Sequence, residues 1–502
     1  MLAAIRSAAI FGIDAYDVCV EIDVAQGLPH WTIVGLPAGE VKESRERVSA
    51  ALANSGFTLP PRRITVSLSP GDLRKVGTGF DLPIAVGLLV ATGALAPETV
   101  DGLTFIGELG LDGEIRGVRG VLSVARHLAA TRDNVRALVV PPANVTEAGL
   151  VRSLRLTACA SLVTLAEALK SDRLPLAIPG DRTTHEPDDA DFADVVGQTS
   201  AKRALEIAAA GAHACLLIGP PGAGKTMLAR RLPSILPPLT EDEALEVTAI
   251  HSVAGLLPSA GACLSARPFR APHHSISSAG LVGGGGVPRP GEVSLAHHGV
   301  LFLDELLEFP RTVLESLRQP MEDGRVVIAR AALSVAFPAR FSLVAAMNPC
   351  PCGNAGDATR VCTCSEPEII RYRSRLSGPL SDRIDMHVTL GAVPAASLDR
   401  ANDGEPSRAI RARVERSRAV QRARYAHVAG ATCNAHASGR WLLAHGQLDS
   451  DARKLLMSAM ESLKLSARGY HRVLRVARTI ADLDRSDSVL EPHVAEALRY
   501  RP

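Results

Sequence analysis

At roughly 150 residues per domain, a chain of 502 residues implies about three domains and excludes a small binding module. Hydrophobic residues make up 46% and charged residues 22%, which excludes wholesale disorder and fits an ordinary folded enzyme. Fifty-five Lys and Arg stand against 53 Asp and Glu, a net charge of +2, so any nucleic-acid site must be local.

In chain order, the opening MLAAIRSAAIFGIDAYD is broken by Arg6 and Asp14 and does not read as a signal peptide. Residues 1–172 alternate strand-like runs (Ile64 to Pro70, Leu103 to Leu109) with helical patterns such as Glu40 to Ser55, predicting an α+β domain. Within it, the apolar stretch Leu82 to Pro97 holds Pro83 and glycines and falls short of the roughly 20 residues a spanning helix needs, so no membrane segment is expected. Residues 173–191 concentrate Pro, Asp and Thr and read as a linker. From 192 to 395, apolar runs (ACLLIG, VLFLDE, FSLVAAMN) alternate with helical segments, the pattern of a parallel α/β sheet. Residues 396–502 read as helices with polar breaks.

The α/β region holds a phosphate-binding loop. Gly219-Pro220-Pro221-Gly222-Ala223-Gly224-Lys225-Thr226 fits G-x-x-x-x-G-K-[ST] between an apolar strand and a helix. Its glycines let backbone N–H groups turn toward phosphate oxygens, Lys225 supplies charge at the β and γ phosphates, and the Thr226 hydroxyl suits Mg²⁺. The strand Val300 to Leu303 then delivers Asp304, a second Mg²⁺ anchor, and Glu305, which suits orienting and polarising an attacking water. A third strand ends in Asn348, whose amide suits positioning that water, although Asn before Pro349 is also a turn former.

Nine cysteines, five of them scattered, suit a reducing cytosol and predict a cytoplasmic protein. The other four, Cys350, Cys352, Cys362 and Cys364, carry one-residue spacers and leave three readings open: a Zn²⁺ site, unliganded thiols, or redox chemistry. His273-His274 and His297-His298, taken as strand neighbours, point to opposite faces, which argues against a shared metal. Arg408, Arg411, Arg418 and Arg422 share one side of a predicted helix, as a stripe for nucleic-acid backbone or as a solvated face.

The chain resembles the magnesium-chelatase-like AAA+ ATPases of the YifB/ComM group over nearly its whole length. GPPGAGKT, RPFRAPHHSIS (Arg267 to Ser277), GEVSLAHHGVLFLDEL (Gly291 to Leu306), AAMNPCPCG (Ala345 to Gly353), RYRSRLSGPLSDRIDMHV (Arg371 to Val388) and SARGYHRVLRVARTIADL (Ser466 to Leu483) carry the resemblance. It implies a P-loop AAA+ core, a Lon-protease-like (ribosomal S5-like) α+β domain before it and a helical lid after it. It further implies ATP and Mg²⁺, a homo-hexameric ring, and ATP-driven DNA remodelling by branch migration or helicase action in recombination or transformation. A chelatase- or chaperone-type motor acting on a protein partner is the alternative.

Residue by residue, the resemblance makes Arg383 the arginine finger acting on a neighbour's γ phosphate, with Arg375 its rival, and Arg468 the lid arginine. It places Val196, Gly197 and Gln198 beside the adenine pocket. It also implies two insertions, Pro268 to Glu292 and a β-hairpin from Arg325 to Arg340, whose arginines (Arg267, Arg270, Arg289, Arg325, Arg330, Arg340) either grip phosphates or are scattered surface charges. In the Lon-like domain the Ser and Lys dyad positions hold Gly79 and Leu122, so a binding or ring-stabilising role without proteolysis is expected.

Overall fold

The computed structural model describes residues 2–131, 135–178, 190–257, 263–330, 333–357, 360–392 and 404–501, without the side chains of Arg330 and Leu333. Most of the linker at 173–191 and the boundary at 395 fall outside the described residues. The chain divides into two compact units, Met1–His185 with Glu241–Leu264, and Glu186–Thr240 with Ser265–Pro502.

In the first unit a hairpin, Leu2–Phe11 and Asp14–Ala25, turns at Gly12 with φ 69° and pairs in register from Leu2↔Asp23 to Phe11↔Asp14. Left-handed φ there suits a two-residue hairpin turn and favours glycine. The hairpin seeds a seven-stranded mixed sheet in the order His30–Val34, Arg63–Ser69, Asp14–Ala25, Leu2–Phe11, Leu103–Phe105, Ala137–Val140, Leu156–Ala158. The apolar segment Asp81–Ala91 is a wholly buried helix laid on the two hairpin strands, which explains its lack of a polar face. Gly87 sits where a Cβ would stand 2.6 Å from Ile22 Cδ1, so the helix needs glycine for its close approach to the sheet.

Asp81, the first residue of that helix, is buried and held by both forks of Arg47, at 2.7 and 3.0 Å, with the Leu109 N–H donating at 3.3 Å. Burial drives its carboxyl above the ordinary value, and the Arg47 hydrogen bonds and charge pull it back. Replacing Arg47 by Met therefore strands a buried carboxylate, and about 3–5 kcal/mol of stability should disappear. Thermal melts should show a deficit that shrinks as pH falls, because protonating Asp81 removes the buried charge; a deficit independent of pH would contradict this.

Residues 241–264 lie inside the interval read as the ATPase core, yet they cluster with the first unit. The helix Glu241–Ala254 packs on the helix Val121–Thr131, burying Val247 and Ile250. Its Ser252 hydroxyl donates to the Glu147 carboxylate and accepts from Gly120 N–H at 2.8 Å, while Glu147 also accepts from Leu122 N–H at 2.8 Å. Those donors come from the start of the helix Val121–Thr131, whose free N–H groups need partners.

The second unit contains an all-parallel five-stranded sheet in the order Phe269–Arg270, Val300–Leu303, Ser342–Met347, Cys215–Ile218, Met386–Thr389. Its three central strands are apolar on both faces, as a sheet covered on both sides requires. C-terminal helices Ser407–Arg424, Gly439–His445, Ser450–Ser462, Ala467–Leu483 and Glu491–Leu498 share one hydrophobic core with it. Among the described residues no helix is long and apolar enough to cross a membrane.

The stripe expected on the helix Ser407–Arg424 is broken. Arg411 donates to the Ser234 carbonyl at 2.8 Å and Arg418 to the Ala209 carbonyl at 2.8 Å. Both carbonyls lie in the last turns of core helices, Lys225–Ile235 and Thr199–Gly211, where unpaired C=O groups and the helix dipole attract cations. Arg408 and Arg422 remain exposed.

Candidate active site

Parallel pairing brings the strand ends together: Ile218 pairs with Met347 and Leu303 with Ala345, so Gly219, Asn348 and Asp304 emerge side by side. The crevice beyond the carboxyl ends of parallel strands is the usual ligand position in such sheets. In the loop between Ile218 and the helix Lys225–Ile235, Gly222 and Gly224 take φ of 80° and 85°.

Lys225 Nζ donates to the carbonyls of Gly219 at 2.6 Å and Pro220 at 3.0 Å, and to Asn348 Oδ1 at 3.1 Å. Burial pushes its ammonium below the ordinary value, while Asp304 and Glu305 pull it back up. The Thr226 hydroxyl donates to Asp304 Oδ2 at 2.7 Å, and Asp304 Oδ1 accepts from the Glu305 N–H at 3.0 Å. A hydroxyl and a carboxylate in contact beside a second carboxylate form the hard oxygen set Mg²⁺ prefers, so these residues fit the ion. Replacing Lys225 by Ala removes a charge-assisted donor worth about 1.5–3 kcal/mol, so ATP affinity should drop by about 10- to 100-fold in equilibrium titration with a fluorescent analogue; unchanged affinity would place the phosphates elsewhere.

Glu305 sits in the left-handed region at φ 50°, ψ 49°, a strain of about 1–3 kcal/mol for a residue with a Cβ. Its exposed carboxylate lies 3.4 Å from His274 Nδ1. This His274 contact was not legible in sequence. The neighbouring histidines lie in turns rather than strands, with ring centroids 4.0 Å apart for His273/His274 and 3.9 Å for His297/His298, so the opposite-faces argument does not apply to them.

An open cleft of about 880 Å³ continues from Glu305 and Asn348 along Arg311, Arg371, Tyr372 and Arg375. Arg375 stays in this cleft, bonded to the Leu307 carbonyl at 3.3 Å and Glu308 at 3.4 Å. Arg383 instead pairs with Glu322 and donates to the Pro379 carbonyl at 2.7 Å, leaving its buried Nε without a partner. None of these partners belongs to the phosphate site.

Arg468 stands exposed in the first turn of the helix Ala467–Leu483, with no hydrogen bond or ion pair among the described residues. Arg472 does not share its environment: it is buried, 3.6 Å from Asp385. Arg475 donates to the Ala437 carbonyl at 2.8 Å. Asp385 lies 3.0 Å from His213, whose other ring nitrogen is 2.8 Å from Thr479 Oγ1. Burial alone raises the Asp385 carboxyl, but His213, Arg475 and Arg472 outweigh it and hold it below the ordinary value.

Val196 and Gly197 immediately precede Gln198, which contacts the phosphate loop. Gln198 Nε2 donates to the Ala223 carbonyl at 3.1 Å and to the Gly391 carbonyl at 2.7 Å. Of the insertion arginines, Arg267 is spent on the Pro237 and His298 carbonyls, both at 2.6 Å, and Arg270 on Glu292 at 2.6 and 2.8 Å. The expected hairpin is present as Arg325–Arg330 against Leu333–Pro338; the Arg330 side chain lies outside the described set. Cys350, Cys352, Cys362 and Cys364 converge, with their sulfurs within 4.8 Å of one another. In the first unit Gly79 is half-buried and Leu122 is buried.

Three family models match the chain. That described as magnesium chelatase, subunit ChlI, covers residues 191–398, subunit ChlI of Mg-chelatase covers 20–144, and magnesium chelatase, subunit ChlI C-terminal, covers 404–501. The competence protein ComM of Haemophilus influenzae is 43% identical, with 100% of this chain and 97% of the relative aligned. The YifB protein of Salmonella typhimurium is 41% identical over the same shares, and an uncharacterized protein of Mycobacterium tuberculosis is 45% identical over 99% of this chain and 97% of its own.

Proposed function

Since the chain belongs to the magnesium-chelatase-like YifB/ComM family of AAA+ proteins, whose members are ATPases, we propose that it is a homo-hexameric ring motor that hydrolyses ATP to remodel DNA in the cytoplasm. Branch migration or helicase action in recombination or transformation is the task. The observation that carries the ATPase part is the joining of Lys225, Thr226, Asp304, Glu305 and Asn348 at the ends of three parallel strands. The DNA part is supported by the full-length similarity to a relative named as a competence protein.

Gly219, Pro220, Pro221, Gly222, Ala223 and Gly224 wrap the phosphates with backbone N–H groups, and Lys225 adds charge at the β and γ positions. Thr226 and Asp304 would hold Mg²⁺, which would supply positive charge against the phosphate oxygens. Glu305 orients the attacking water and accepts its proton, and the Asn348 amide fixes that water's other side. Val196 and Gly197 border the adenine. Arg383 acts on the neighbouring subunit's nucleotide, and Arg468 closes residues 396–502 as a lid. Residues 1–172 act as a Lon-protease-like module without its dyad.

A second reading, a chelatase- or chaperone-type motor working on a protein partner, draws support from Arg267, Arg270, Arg411 and Arg418, which are engaged internally rather than free for phosphates. A labelled four-way junction separates the two. ATP-dependent conversion to duplex products, absent with Lys225→Ala, supports the DNA reading; ATP hydrolysis with the junction untouched supports the protein partner.

A further inference from the structure

Beyond Asn348 the chain enters Pro349-Cys350-Pro351-Cys352-Gly353, where Gly353 takes φ 84° and its N–H donates to the Cys350 carbonyl at 3.0 Å. After nine intervening residues, Cys362 and Cys364 return to the same place. Cys350 Sγ lies 3.4 Å from Cys352 Sγ and 3.7 Å from Cys362 Sγ, and Cys352 Sγ lies 3.6 Å from Cys362 Sγ. Backbone N–H groups aim at sulfur, among them Cys352 at Cys364 Sγ at 3.4 Å and Ala355 at Cys350 Sγ at 3.3 Å. All four cysteines are free of disulfides.

Zinc–sulfur bonds of about 2.3 Å in a tetrahedron set the sulfurs about 3.8 Å apart, close to these separations. Backbone N–H groups directed at sulfur stabilise thiolates, the form that binds metal. Sulfurs all within 4.8 Å of one another enclose one ion and leave no room for a cluster with its own sulfides. Four thiolates leave no coordination position for water, the mark of a structural site rather than a catalytic one. Soft sulfur ligands in a tetrahedron select zinc over the hard cations of the phosphate site.

We propose that Cys350, Cys352, Cys362 and Cys364 bind one structural zinc ion, making a knuckle between the Asn348 strand and the helix Glu366–Arg373. The knuckle borders the nucleotide site. A Cβ at Gly353 would stand 2.7 Å from Pro221 Cδ in the phosphate loop, and Arg373 Nε donates to the Pro349 carbonyl at 3.1 Å. The ion thus fixes the chain that follows Asn348, between its strand and the helix Glu366–Arg373.

Metal analysis of the purified full-length protein, reduced and free of nucleotide, tests the site independently of any ATPase or DNA activity. One zinc per chain is the expected result, released by a mercurial thiol reagent and trapped by a chromogenic chelator. Protein grown with cobalt should carry thiolate-to-metal charge-transfer bands and tetrahedral d–d bands. Cys362→Ser with Cys364→Ser should abolish both signals, and if that variant fails to fold, the cobalt spectrum of the unaltered chain still decides. A metal-free protein whose cysteines all titrate as free thiols, a disulfide within the set, or iron in place of zinc would overturn the proposal.

Discussion

Glu305→Gln should lower ATP turnover by about 10²- to 10⁴-fold, the range a positioned general base contributes, while nucleotide affinity stays within a few fold. Only the carboxylate in this position accepts a proton; the isosteric amide keeps the shape and the left-handed backbone of the residue. Affinity should survive because Lys225, Thr226 and the loop backbone are the proposed phosphate contacts, and the bonds of Lys225 and Thr226 go to Gly219, Pro220, Asn348 and Asp304 rather than to the Glu305 side chain. Single-turnover hydrolysis beside equilibrium binding reads both quantities. A variant that hydrolyses ATP at the unaltered rate would remove Glu305 from the chemistry.

Arg383→Ala should cost about 10³- to 10⁵-fold in turnover of the assembled ring, the effect of an arginine finger on phosphoryl transfer. Within its own chain Arg383 is held by Glu322 and the Pro379 carbonyl, neither of which belongs to the phosphate loop. The decisive form of the experiment is complementation. Mixed with Lys225→Ala subunits, Arg383→Ala subunits should regain turnover above either variant alone, because the mixed interface unites an intact phosphate loop with an intact arginine. No gain on mixing would make Arg383 structural. Recovery by Arg375→Ala in its place would assign the finger to Arg375, which in its own chain lines the cleft beside Glu305.

Much of the site was legible because its chemistry is local in sequence. A phosphate loop spans eight consecutive residues, Gly219 to Thr226, and Asp304, Glu305 and Asn348 each follow an apolar strand. The parallel sheet and the hairpin at Arg325–Arg330 and Leu333–Pro338 followed from period and turn signals. What was not legible depends on partners far along the chain. Periodicity put Arg411 and Arg418 on one helix face but could not reveal the helix ends they cap. The helix Glu241–Ala254 carries apolar residues that suit either unit, and its placement turns on Ser252 meeting Glu147, more than a hundred residues away. His274 was read as a strand residue, whereas a turn carries it to Glu305.

We propose that ATP turnover at this site serves DNA. Steady-state ATPase activity of the purified protein, measured alone and with single-stranded, duplex, forked and four-way-junction DNA, with Lys225→Ala as the blank, tests it most directly. Turnover should rise with forked or junction DNA and fall to background in the blank. Turnover that is present, abolished by Lys225→Ala and the same with every DNA as without it would contradict the claim.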